Sequence, residues 1–146
     1  MKKVVQNWEL LPIIKEKLDS GSEISIQVVG ISMRPFFIDR VTEVTLKQTP
    51  TLRKGDICLF LLPNQKMVLH RLIQIKEDHL VMRGDALVSK EFITPSQVLG
   101  KVIMYSHHGK TIHTNSRSFR FWSTMWNLLF PFKRVLLGIY RRVAKR

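Results

Sequence analysis

The chain has 146 residues, 45% of them hydrophobic, and a formal net charge of +13 from 24 Lys and Arg against 11 Asp and Glu. That length bounds it to one domain with a real core plus an appendage. Its single cysteine, Cys58, excludes an intramolecular disulfide, has no zinc-ligand spacing around it, and suits a reducing compartment. The charge is placed unevenly: after Glu91 the chain has no Asp or Glu, while Lys101, Lys110, Arg117, Arg120 and the basic residues of 133–146 all follow. Such asymmetry points to a polyanionic partner, either nucleic acid or an anionic membrane surface.

Met1-Lys2-Lys3 makes a charged start, but Glu9, Lys15, Glu16 and Lys17 interrupt any apolar core, so no cleaved targeting peptide is expected. Trp8, Leu11, Ile14 and Leu18 recur at helical spacing and Asp19-Ser20-Gly21 follows as a stop. The spacing predicts an amphipathic helix within 5–19, with Pro12 in its first turn and Trp8 just ahead of it.

From Glu23 to about Ile112 the apolar period shortens to that of a strand. Ile24-Ser25-Ile26-Gln27-Val28 alternates cleanly, and further strands are predicted at 41–47, 56–62, 67–75, 79–83 and 98–105. Lys54-Gly55-Asp56, Pro63-Asn64, Glu77-Asp78, Gly84-Asp85, Thr94-Pro95-Ser96 and His108-Gly109-Lys110 supply turn signals. Cys58 falls inside the apolar run 57–62 and reads as a buried strand residue. Short strands at this interval predict a mainly β fold whose sheet closes on itself.

From Ser116 the pattern turns helical. Phe119, Trp122, Met125, Trp126, Leu129 and Phe130 form one stripe, which Pro131 interrupts. Phe132, Val135, Leu136, Ile139, Tyr140 and Val143 form a second, opposed by Lys133, Arg134, Arg141, Arg142, Lys145 and Arg146. No window approaches the roughly 20 apolar residues of a bilayer span. The expected organisation is an N-terminal helix over 1–22, a β domain over 23–113 and a basic, aromatic, amphipathic helical tail over 114–146.

Three polar side chains at or beside strands supply the parts for nucleophilic catalysis. In Gly30-Ile31-Ser32-Met33-Arg34-Pro35, Gly30 permits a tight strand exit and Pro35 disfavours a helical Arg34, which places Ser32 on a constrained turn. Its backbone N–H is a candidate oxyanion donor, with Gly30 beside it. In Val68-Leu69-His70-Arg71-Leu72-Ile73 a histidine sits in mid-strand, a candidate general base. Asp85 ends the next strand after Gly84 and is the candidate orienting acid, with Glu91 as the alternative. Lys66 is a fallback base, but its place in Asn64-Gln65-Lys66 is a hairpin tip, where lysine stays charged. Asp56 reads as structural and Asp39 as a solvated loop acid. Met33 and Pro35, with Phe36 and Phe37, form an apolar rim suited to a substrate groove or to lipid.

Taken in order, Gly-x-Ser-Met-x-Pro, Lys54-Gly55-Asp56, strand–His70-Arg71–strand, Gly84-Asp85 and Val98-Leu99-Gly100-Lys101-Val102 resemble the clan of serine peptidases that holds signal peptidases and self-cleaving repressors. The resemblance covers 24–105. Most bacterial members and the repressors carry lysine where His70 stands, whereas archaeal and endoplasmic-reticulum signal peptidases carry histidine. It implies a catalytic β-fold with Ser32 as nucleophile, His70 as base and Asp85 assisting, small residues near the cleaved bond, and no cofactor or metal. An extended peptide would add as a strand beside such a site.

The tail carries the aromatic and basic types that favour an anionic bilayer surface, namely Trp122, Trp126, Lys133, Arg134, Arg141 and Arg142. Their charge favours the cytoplasmic leaflet, so the expectation is a protease held peripherally on the inner membrane face, cleaving a leader, signal-like or precursor peptide. The alternatives are a catalytically silent peptide- or partner-binding module on the same fold, a helical tail packed on the β domain, and a basic nucleic-acid binder.

Overall fold

The computed structural model describes residues 7–129 and 132–144. Helix α1 spans Asn7–Asp19, β1 Ile24–Gln27, β2 Glu43–Lys47, β3 Ile57–Leu61, β4 Met67–Ile75, β5 Leu80–Arg83, β6 Glu91–Ile93, β7 Val98–His107, β8 Lys110–His113, α2 Arg117–Leu128 and α3 Lys133–Ala144. Helix α1 begins earlier than the sequence suggests, so Trp8 lies inside it and Pro12 is interior. A proline there removes one backbone bond near the start, which the rest of the helix absorbs by burying Ile14 and Leu18.

The eight strands form one antiparallel sheet in the order β1-β2-β7-β3-β4-β5-β6, with β8 also on β7. Among the described residues the expected closure is absent: β1 and β6 end the hydrogen-bonded path and do not pair with each other. The two strands the sequence did not resolve are β6 and β8. Strand β6 has three residues between Lys90 and Thr94, too few to show alternation. Strand β8 follows the two-residue turn His108-Gly109, whose φ values of 52° and 78° suit a tight hairpin closed by the His107–Lys110 pair.

Strand β3 explains how the core is divided. Ile57 and Leu59 belong to one apolar cluster with Ile14 and Leu18 of α1, Met33, Phe37, Tyr105 and Phe119. Cys58 and Phe60, pointing the other way, join Leu72, Leu80, Met82 and Ile93. A strand buried on both faces needs the uninterrupted apolar run that Ile57–Phe60 supplies. Burial, reinforced by Asp56, pushes the Cys58 thiol up to about 12.

Candidate active site

The chain leaves β1, runs through Val28 and Val29, and turns at Gly30 with φ 102°. Asp39 closes that turn by accepting the Gly30 N–H at 2.7 Å. Asp39, expected to be a free loop acid, therefore shapes the serine turn. The same bond occupies the Gly30 N–H. Among the described residues no backbone carbonyl takes the Ser32 N–H, so that donor remains open to a substrate.

His70, in the middle of β4 opposite Cys58 of β3, is buried at 6% exposure, with Phe60 edge-on to its ring at 6.0 Å. Glu91 Oε1, at the start of β6, contacts His70 Nδ1. Nε2 faces the serine turn: a Cβ built on Gly84 would lie 3.1 Å from His70 Nε2 and 2.6 Å from the Ser32 carbonyl oxygen. The missing side chain at Gly84 is thus what lets the two segments close on each other. The Ser32 carbonyl also accepts the Ala86 N–H at 2.9 Å.

Ser32, His70 and Glu91 line one cleft of about 1040 Å³, together with residues of β1 and of the β3–β4 hairpin. The lining is rich in aliphatic side chains, including Ile26, Val28, Leu59, Met67 and Leu69. Ser32 and His70 share this cleft without a hydrogen bond between them among the described residues.

Asp85 is not the acid on His70. Its carboxylate takes two bonds from Arg71, Nε to Oδ1 at 2.8 Å and Nη2 to Oδ2 at 2.7 Å. Arg71 is fully buried and Asp85 nearly so. The Arg71 guanidinium also donates to the Gly55 carbonyl at 2.9 Å and lies over the rings of Phe36 and Phe119, 5.1 and 5.5 Å from their centroids. The physical reason is strand alternation: His70 and Arg71 are consecutive on β4 and project to opposite faces, so one acid cannot serve both.

The expected apolar rim is largely internal. Met33 lines the cleft but is buried, Phe37 is in the core against Tyr105, and Phe36 is spent on Arg71. Pro35, half-buried, is not part of the cleft wall. Its place is taken by Val29 and Ile31, which flank the serine turn and are about half exposed. Lys66 lines the cleft from an exposed position, as a solvated hairpin residue should. Among the described residues no group of His, Cys, Asp and Glu side chains is arranged to hold a metal ion.

The tail divides its aromatics between two faces. Ser116 caps α2 by accepting the Phe119 N–H at 3.3 Å. Phe119 and Ser123 are buried, and Trp126 turns inward to donate its Nε1–H to the Asp85 carbonyl at 2.7 Å. Trp126 is therefore bound to the β domain and unavailable as the surface aromatic expected. Trp122 is 61% exposed and Leu128 69%; Phe121, Phe132, Val135, Ile139 and Val143 are exposed too, as are Arg141 and Arg142. The side chains of Lys133 and Arg134 lie outside the described residues. No helix among the described residues is long and apolar enough to cross a membrane. No family model matches the chain, and no curated protein matches it.

Proposed function

We propose that this chain is a serine endopeptidase of the kind its motifs resemble, the signal peptidases and self-cleaving repressors. The observation that carries the reading is His70, with Glu91 against Nδ1 and Nε2 near the Ser32 carbonyl, in one cleft of about 1040 Å³. An extended substrate lies along the cleft and presents its scissile carbonyl to Ser32. Ser32 Oγ attacks the carbonyl carbon as its proton passes to His70 Nε2, and the Glu91 carboxylate steadies the imidazolium. The oxyanion takes the Ser32 N–H. The imidazolium then protonates the leaving amine, the peptide bond breaks, and an acyl group remains on Ser32. Water, giving its proton to His70, attacks that ester; the Oγ–acyl bond breaks, Ser32 Oγ takes the proton back from His70, and the new carboxyl terminus leaves.

The enzyme works on a leader, signal-like or precursor peptide while held peripherally on the inner, anionic face of a membrane. Exposed Phe121, Trp122, Leu128 and Phe132 with Arg141 and Arg142 support that placement, because apolar and cationic groups together suit an interface. Competition between anionic vesicles and oligonucleotides tests it: salt-steep oligonucleotide binding without vesicle binding would remove the membrane from the account.

One observation favours a second reading, a peptide-binding module without turnover: Gly30 has no hydroxyl and its N–H is committed to Asp39, so within the turn the oxyanion hole rests on the Ser32 N–H. Digestion of a diverse peptide pool with anionic vesicles present decides between the two. Cuts made by wild type and lost in both Ser32→Ala and His70→Ala establish the peptidase. A folded wild type that binds peptides and leaves them whole establishes the module.

A further inference from the structure

The segment that holds Ser32 and His70 in place is itself held by helix α2. Residues 83–86 run behind the Ser32 carbonyl and the His70 ring. Gly84 leaves room for the Ser32 carbonyl and His70 Nε2, and Ala86 donates to that same carbonyl. Helix α2 grips this segment at two points one residue apart on its inner face. The Trp126 Nε1–H donates to the Asp85 carbonyl at 2.7 Å, and Asn127 Oδ1 accepts from Arg83 Nη2 at 3.2 Å. A third contact lies about two helical turns upstream, where the Phe119 ring covers Arg71, the residue that fixes the Asp85 carboxylate. Phe36, from the serine turn itself, meets Phe119 edge-on at 5.9 Å. Asp85 is thereby fixed at both ends, its carboxylate by Arg71 and its carbonyl by Trp126.

We propose that Trp126 is a positioning residue for the candidate active site, acting through the Asp85 carbonyl on the Gly84–Ala86 turn that seats Ser32 against His70. Its side chain packs half-buried against the β domain, and its N–H fixes one carbonyl, so losing that donor frees the turn from α2. Displacement of that turn matters because catalysis needs the nucleophile and base in near-attack geometry. Asn127 assists through Arg83. The consequence for turnover rests on the peptidase reading; the mechanical link does not.

The test uses the full chain and Trp126→Phe, which keeps an aromatic ring and removes the donor. Thr124→Ala, on an exposed position of the same helix, is the control. With thermal melts showing each variant folded, the 15N shifts of the His70 ring and the Ala86 amide are compared with wild type. Trp126→Phe is expected to move both signals, and Thr124→Ala neither. On a peptide that wild type cleaves, Trp126→Phe is expected to lower kcat by about 10- to 100-fold with KM nearly unchanged. Wild-type signals and wild-type kcat in Trp126→Phe overturn the proposal and leave the peptidase reading intact. Shifted signals with no cleavage by wild type uphold the positioning link while the peptidase reading fails. If Trp126→Phe does not fold, Asn127→Leu, which removes the Arg83 acceptor, is read by the same signals with the same deciding outcomes.

Discussion

Glu91 contacts the Nδ1 atom of His70 although β5 lies between their strands. Strand β5 ends at Arg83 and the chain bends away at Gly84, so the acid reaches the imidazole past the end of the intervening strand. On the peptidase reading, a carboxylate there orients the imidazole for proton transfer. Glu91→Gln keeps the shape and removes the charge. It is expected to lower kcat by roughly 10²–10⁴-fold with KM little changed, checked by steady-state kinetics on a cleaved peptide.

Asp85 behaves differently, because its carboxylate belongs to a buried ion pair. Asp85→Asn leaves the Arg71 guanidinium buried without its counter-charge, at a cost of about 3–5 kcal/mol. Urea unfolding is expected to show that loss as a lowered midpoint. An orienting acid would instead give a stable protein with reduced kcat, so the two measurements together separate the roles of Asp85 and Glu91.

Gly84 is open to a methyl-sized test. A Cβ there meets the Ser32 carbonyl oxygen at 2.6 Å, and backbone cannot swing aside as a side chain would. Gly84→Ala is expected to destabilise the protein by about 1–3 kcal/mol and to reduce cleavage more than that loss explains, since the displaced atoms belong to the Ser32 turn. Denaturant midpoints and kcat measured on one preparation check both.

The two tryptophans of α2 give opposite expectations at a membrane. Trp122→Ser removes an exposed ring and is expected to weaken binding to anionic vesicles by roughly tenfold or more, the scale of burying one large apolar side chain. Trp126→Phe, on the inner face, is expected to leave vesicle binding within about twofold of wild type. Vesicle sedimentation at fixed salt reads both.

Much of the fold was legible because period-two runs and turn residues are local. The strands at 67–75 and 24–27, the Gly30 turn with its positive φ, and the buried place of Cys58 all follow from neighbours in sequence. The site was legible to the extent that Ser32 and His70 share a cleft. Which carboxylate lies beside His70 was not legible, because choosing between Asp85 and Glu91 requires knowing which face of β4 each meets, and that depends on the pairing of three strands. Nor could the Trp122–Trp126 stripe be divided between two faces, since both residues are apolar and helical spacing alone does not say which side a neighbour covers. Asp39 looked idle for the same reason: its partner, the Gly30 N–H, lies nine residues away and on no regular element.

The most direct measurement of the central claim is to identify the atom that holds the acyl group during turnover. A peptide selected from the pool is mixed with excess protein, quenched in acid within the first turnover, and the protein is mapped by mass spectrometry. An acyl adduct on Ser32, absent in His70→Ala, is the predicted result. An adduct on another residue, or wild-type cleavage rates in Ser32→Ala, would contradict the account.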